Sequence, residues 1–129
     1  MSKFIINSDK GQALISLLVV MLSGIIITSG AVAVTIINSQ TTDKYASSEQ
    51  SYAIAESGAD NALLRLLRDP NYLGETVSIG NGTATVTVTG STTKTIISEG
   101  VTGSFKRKIQ VVGSFLNNVF TISSWSEIN

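Results

Sequence analysis

The side chains of this sequence that could do chemistry are few, and their densest group is the basic triplet Lys106-Arg107-Lys108. A basic strand can contact phosphates, so a nucleic-acid partner is one interpretation of this weak basic patch. The other is a solvated strand whose lysines discourage edge-to-edge aggregation. We favour the second because Lys plus Arg equals Asp plus Glu at nine each, which leaves no net positive charge.

Cysteine and histidine do not occur among the 129 residues. Their absence removes disulfides, thiolate metal sites, thiol nucleophiles and the commonest general base. A carboxylate-only site remains conceivable, but the nine acidic residues are scattered, with no spacing that demands partnership. The composition therefore argues against an enzyme, and we predict neither a cofactor nor a metal.

A long uncharged segment separates Lys10 from Asp43, and its most apolar part extends from Ala13 to Ile37. A hydrocarbon core about 30 Å thick is crossed by about 20 helical residues, so the segment is long enough. Its polar members are serines and threonines, whose hydroxyls can bond back to helix carbonyls. We therefore predict that residues 12–38 cross a membrane.

The flanking charges predict the orientation of that helix. Lys3 and Lys10 precede it, whereas Asp43 and Lys44 cancel after it, which keeps the N-terminus cytoplasmic. A cleaved secretory signal is the alternative, but its apolar region would be 7–15 residues long and would end at a small-x-small site. The apolar run here is longer, and Ser29-Gly30-Ala31 lies inside it.

The helix is predicted to continue beyond the apolar segment as an amphipathic half. Tyr45, Tyr52, Ala59 and Leu66 recur every seven residues, which predicts a face packed on the following domain. Asp69-Pro70 then ends the helix, because a residue before proline is pushed out of the α region. The helix should therefore extend from about Gln12 to Leu67.

After Gly74 the pattern changes to an alternation with period two, which is typical of half-buried strands rich in β-branched residues. Glycines and asparagines between the apolar runs supply tight turns. Four or five strands are predicted, over Thr76–Ile79, Thr83–Thr89, Thr93–Val101, Ser104–Leu116 and Val119–Trp125. A sheet with one apolar face must bury it, so we predict an α+β fold in which the amphipathic helix half packs on an antiparallel sheet over residues 39–129.

The N-terminus resembles the class III signal of type IV pilins and type II secretion pseudopilins. Members of that family have a short basic leader ending in glycine, a long apolar helix and an antiparallel sheet. The resemblance implies a leader over residues 1–11, cleavage by prepilin peptidase between Gly11 and Gln12, and methylation of the new N-terminus. The architecture matches over nearly the whole chain, whereas the diagnostic motif covers only Lys10 to about Leu22.

Two positions depart from the family pattern. Major pilins generally have phenylalanine after the cleavage site and glutamate four residues further on, where this chain has Gln12 and Ser16. The family's glutamate is held to pair with a neighbouring subunit's N-terminal amine, which serine cannot neutralise. The chain is therefore a poor candidate for the repeating bulk subunit, and it lacks the glutamate as GspK-type pseudopilins do. The run Gly11–Ile15 followed by aliphatic residues, and Ala55–Ala59 in the distal helix, resemble the PilX-type minor pilins.

The resemblance implies a non-enzymatic filament subunit whose partners are other pilins, the prepilin peptidase and an inner-membrane assembly platform. It would sit in the cytoplasmic membrane as a single-pass chain and then in a cell-surface filament. Gly24 and Gly30 would allow close packing of the apolar helices or loosen the helix. The alternatives are a tip pseudopilin of a type II secretion system and an uncleaved, membrane-anchored binding module.

Overall fold

The computed structural model describes residues 8–129, and its first element is the helix α1, Ser8–Arg68. Its last turn closes with the Asp69 amide donating to the Arg65 carbonyl at 2.8 Å, directly before Pro70. Arg65 and Arg68 lie in that last turn, where cations complement the helix dipole. The predicted end of the helix agrees to one residue, while its start lies four residues earlier than predicted.

Five strands follow: β1 (Thr76–Ile79), β2 (Gly82–Thr89), β3 (Thr93–Thr102), β4 (Phe105–Leu116) and β5 (Val119–Ile128). Each pairs antiparallel with the next, so the sheet has the order β1-β2-β3-β4-β5. The strands lie where the alternation predicts them, although β5 extends three residues beyond Trp125. The predicted α+β fold is confirmed.

The turns follow from residues that tolerate positive φ. Asn117 and Asn118 join β4 to β5 with φ of 50° and 62°, as a two-residue hairpin turn of the primed type requires. Gly80 and Gly103 occupy the first turn positions of the β1–β2 and β3–β4 hairpins, with φ of 60° and 57°. These turns fix the register that brings alternate residues of each strand to one face.

The core lies between α1 and one face of the sheet. The helix contributes mainly small side chains, each no more than 4% exposed: Ser51, Ile54, Ala55, Ala59, Ala62 and Leu66. The sheet contributes Ala84, Val86, Val88, Ile96, Ile109 and Val111 from its alternating positions. Because most of the helix face is serine and alanine, the helix backbone can approach the sheet closely.

Two glycines show how close that approach is. A Cβ added to Gly100 on β3 would overlap the Ser51 carbonyl oxygen and lie 2.5 Å from the Ala55 amide nitrogen. One added to Gly58 on the helix would lie 2.7 Å from the Ala84 Cβ and would overlap the Ser98 hydroxyl. Neither glycine has a positive φ. Both positions therefore require glycine for space and not for backbone conformation.

The chain divides into two compact units between Thr42 and Asp43. The first contains the uncharged part of α1, and the second contains the rest of α1 with the whole sheet. All of the core described above belongs to the second unit.

Candidate functional site: the uncharged helix segment and its Lys-Gly-Gln junction

The uncharged segment is helical and exposed along its whole length, from Gly11 to Thr42. Its most apolar 18-residue window has a mean hydropathy of 2.5, and none of that window is buried. Large apolar side chains such as Ile26 and Ile27 are each 71% exposed. A helix this long and apolar is able to cross a membrane, and lipid would cover the surface that is otherwise in contact with water.

Several hydroxyl groups of this segment donate hydrogen bonds to carbonyl groups of their own helix. Ser23 donates to the Val19 carbonyl and Thr28 to the Gly24 carbonyl, both at 2.8 Å. Thr35 donates to the Ala31 carbonyl at 2.9 Å. Each bond spans four residues, as predicted, and it satisfies a polar group that hydrocarbon could not.

The junction residues Gly11 and Gln12 lie in the first turns of α1 and are exposed. The first seven residues of the predicted leader lie outside the described residues. Apart from the adjacent residues and the backbone of its own helix, no described heavy atom lies within 4 Å of a Cβ added to Gly11. Ser16 is likewise helical and exposed, one turn after Gln12. The structure thus places the junction on an open surface of the helix.

Gly24 and Gly30 both lie within α1, which continues through them without a break. Apart from the adjacent residues and the helix's own backbone, a Cβ added to either glycine would meet no described atom within 4 Å. In the single chain, neither glycine is therefore required by a neighbouring group. Close approach by another helix remains a prediction for both positions.

The four residues that recur every seven positions along α1, from Tyr45 to Leu66, differ in how deeply they are buried. Ala59 and Leu66 are completely buried, Tyr52 is half-buried and Tyr45 is 70% exposed. Tyr45 is therefore outside the packed face, although the spacing predicts it to be part of that face. Ser51 and Gly58 are also buried on the helix face, although the seven-residue spacing does not include them. The signal for them is the run of small residues at positions 51, 55, 58, 59 and 62.

Each cation of the basic triplet is paired with an acidic side chain of the sheet. Lys106 and Lys108 lie 3.6 and 3.4 Å from the two carboxylate oxygens of Glu99 on β3. Arg107 faces the helix side instead, where its Nη1 donates to the Ser48 hydroxyl at 2.8 Å. The alternation of the strand thus separates the arginine from the lysines, and each lysine has an acidic neighbour.

Arg107 joins the last strand to the helix. Its guanidinium donates twice to the Glu127 carboxylate, through Nε and through Nη2, the latter at 3.0 Å. It also lies 5.8 Å from the centroid of the Tyr52 ring, within cation–π range. The hydrogen bonds to Glu127 raise the pKa of Arg107 above its usual range, so the group stays charged. This arrangement indicates a structural contact, in which the Arg107 guanidinium is already engaged by Glu127 and Ser48.

We call the second unit, Asp43–Asn129, the β domain. We expect Arg107→Ala to lower its melting temperature by a few degrees, because the change removes contacts to α1 and β5 at once. Lys106→Ala is the matched control, since Lys106 is the adjacent cation and has only one weak ion pair. Thermal unfolding followed by circular dichroism would measure both. Equal melting temperatures of the two variants would refute the role assigned to Arg107.

Among residues 8–129, no group of three or more acidic side chains comes together in a way that could hold a metal ion. Comparisons with protein-family models, with curated proteins and with solved structures found no match to the chain. The class of the protein is therefore defined by its architecture alone. It is a small α+β domain whose N-terminal helix is long and apolar enough to cross a membrane.

Proposed function

We propose that the chain is a minor subunit of a type IV pilus or pilin-like filament, cleaved by a prepilin peptidase between Gly11 and Gln12. The observation that carries the proposal is the exposed, uncharged helix segment that directly follows Lys10-Gly11. The same helix, α1, goes on to pack on an antiparallel sheet. This order of elements is the one that the family resemblance implies.

The subunit is held in the cytoplasmic membrane by residues 12–38, with its N-terminus inside and its β domain outside. Lys10 on one side and the balanced pair Asp43-Lys44 on the other support that orientation. After cleavage, the apolar helix leaves lipid and is covered by the helices of other pilins at the assembly platform. Packing between such helices depends on small residues such as Gly24 and Gly30.

Ser16 makes the chain a poor bulk subunit and a better minor one. Its neutral hydroxyl accepts a hydrogen bond from an amine but supplies no opposite charge, and an unpaired charge in hydrocarbon is costly. In a type II secretion system the same properties suit a tip pseudopilin. The two machines would be distinguished by which filament contains the chain.

The cleavage is tested by Gly11→Val, which we expect to reduce processing by co-produced prepilin peptidase at least about tenfold, a loss of about 1.4 kcal/mol in transition-state binding. Gly24→Val is the matched control, because both glycines lie in α1 and a Cβ at either would meet no described atom beyond its own stretch of helix within 4 Å. Intact mass of the membrane-extracted chain measures the cleaved fraction. Equal processing of both variants, or no processing of the unaltered chain, would refute the proposal.

A further inference from the structure

The outer side of β5 is a free sheet edge in the described part of the chain, because β5 is the last strand in the order β1-β2-β3-β4-β5. The strand has ten residues, Val119–Ile128, and contains neither proline nor lysine. About every second residue of an edge strand has N–H and C=O groups without a strand partner. We propose that this edge binds an extended, uncharged segment of a different protein, which joins the sheet as a sixth strand.

The opposite edge of the sheet is protected. β1 has only four residues, and the segment before it continues alongside β2. There the amides of Val86 and Val88 donate to the carbonyls of Glu75 and Leu73, both at 2.8 Å. Short edge strands and covering segments are means by which sheets avoid unwanted pairing. β5 is long and has no such cover among the described residues, and a bulge in its pairing with β4 is its one irregularity.

The composition of β5 indicates which kind of segment fits beside it. The one charged residue of the strand is Glu127, and its carboxylate accepts hydrogen bonds from Arg107. Val119 is 60% exposed and Ile122 is 47% exposed, and their spacing of three places them on opposite faces of the sheet. An uncharged strand beside β5 would cover apolar side chains on both faces. A charged strand would find no opposite charge there that is not already paired.

A second copy of this chain does not fit as the occupant. Two copies of one edge strand in a continuous sheet pair antiparallel about a two-fold axis perpendicular to that sheet. The part of α1 after Thr42 packs on the same sheet, so this axis would reverse the direction of that helix in one copy. Two chains anchored in one membrane enter from the same side instead. The choice of a different protein over a second copy therefore rests on the proposed function.

The probe for this edge is a synthetic peptide with the sequence of β2, Gly82–Thr89, because it is uncharged and alternates apolar residues with threonines. The peptide is added to the full chain in detergent micelles. Binding is followed by the fluorescence of Trp125, which lies on β5, and by hydrogen exchange of the β5 amides. At a peptide concentration of about ten times its Kd, we expect the amides at the free edge to exchange about tenfold more slowly.

Ile122→Pro provides the matched variant. In a two-residue hairpin the residues next to the turn, here Leu116 and Val119, form a hydrogen-bonded pair, and bonded and non-bonded pairs then alternate along the strand. The amide of Ile122 therefore faces the free edge, and proline removes this donor without removing one that β4 uses. Ile122→Ala is the control, because alanine shortens the side chain and keeps the amide. We expect Ile122→Pro to lose peptide binding and Ile122→Ala to retain it.

A peptide that is N-methylated at every backbone nitrogen lacks the donors for strand pairing, so it tests the inference even where Ile122→Pro does not fold. We expect it to leave both fluorescence and exchange unchanged. Equal effects of the two peptides, no effect of either, or unaltered binding to a folded Ile122→Pro variant would overturn the inference. A dimer of the unaltered chain that Ile122→Pro abolishes would assign β5 to self-association and overturn it as well. Peptide binding by a chain that is not cleaved after Gly11 would refute the proposed function alone.

Discussion

Gly100→Ala is expected to lower the free energy of unfolding of the β domain by about 2–3 kcal/mol. The new methyl group would overlap the Ser51 carbonyl oxygen and approach the Ala55 amide nitrogen to 2.5 Å. Both atoms belong to the backbone of α1, so the helix itself would have to move away from the sheet. For a domain of this size the change corresponds to a melting temperature lower by about 10–20 °C.

The measurement is thermal unfolding of the full chain in detergent micelles, followed by the fluorescence of Trp125. This residue is the only tryptophan of the chain, and it packs against the core. Thr87→Ala is the control, because Thr87 is exposed in the middle of β2 and has no part in the core. A melting temperature of Gly100→Ala equal to that of the control would contradict the close contact between helix and sheet.

The second large effect is expected from charge placed in the apolar segment. Val20 and Ile27 are 68% and 71% exposed and lie seven residues apart, on about the same side of α1. An arginine near the centre of a membrane helix costs about 2.5–3.5 kcal/mol. The double variant Val20→Arg/Ile27→Arg should therefore lose most of its membrane insertion.

Fractionation of cells into membrane and soluble parts, with quantification of the chain in each, measures this loss. The control is Ser57→Arg/Leu64→Arg, which places two arginines at the same spacing on exposed positions of the second unit. The control should remain in the membrane fraction. Retention of the Val20/Ile27 variant at the same level would contradict the assignment of residues 12–38 to the membrane.

The strands could be predicted because alternation and turn chemistry are local properties. Ala84, Val86 and Val88 alternate with threonines, and the asparagine pair at 117–118 is able to adopt the positive φ of its turn. The contacts of Gly58 and Gly100 could not be predicted, because they depend on which strand lies under which turn of the helix. Glu127 as partner of Arg107 is non-local for the same reason: the two residues are 20 positions apart.

Tyr45 is exposed although its seven-residue spacing from Tyr52 predicts it to lie on the packed face. Seven residues make slightly less than two turns of a straight α-helix, so a line of such residues drifts by about 20° per heptad. Tyr45 lies three heptads before Leu66, which amounts to a drift of about 60°. Leu66 is therefore buried while Tyr45 is 70% exposed. The buried face follows small residues at spacings of three and four instead.

The apolar segment could be predicted in full, since length, hydropathy and missing charge are properties of the sequence. The surroundings of the basic triplet could be predicted only in part. Alternation along β4 places Lys106 and Lys108 on the side away from the core, but it does not reveal the partners of Arg107. Those partners come from the helix and from the last strand.

The central claim is that the chain is processed and then incorporated into a filament. The most direct measurement is the N-terminal residue of the chain in sheared surface filaments and in membranes, from cells with and without prepilin peptidase. We predict that filaments contain the chain starting at Gln12, only when the peptidase is present. A chain that is absent from filaments and keeps Met1 or Ser2 in the membrane under both conditions would contradict the claim, and would leave a membrane-anchored β domain.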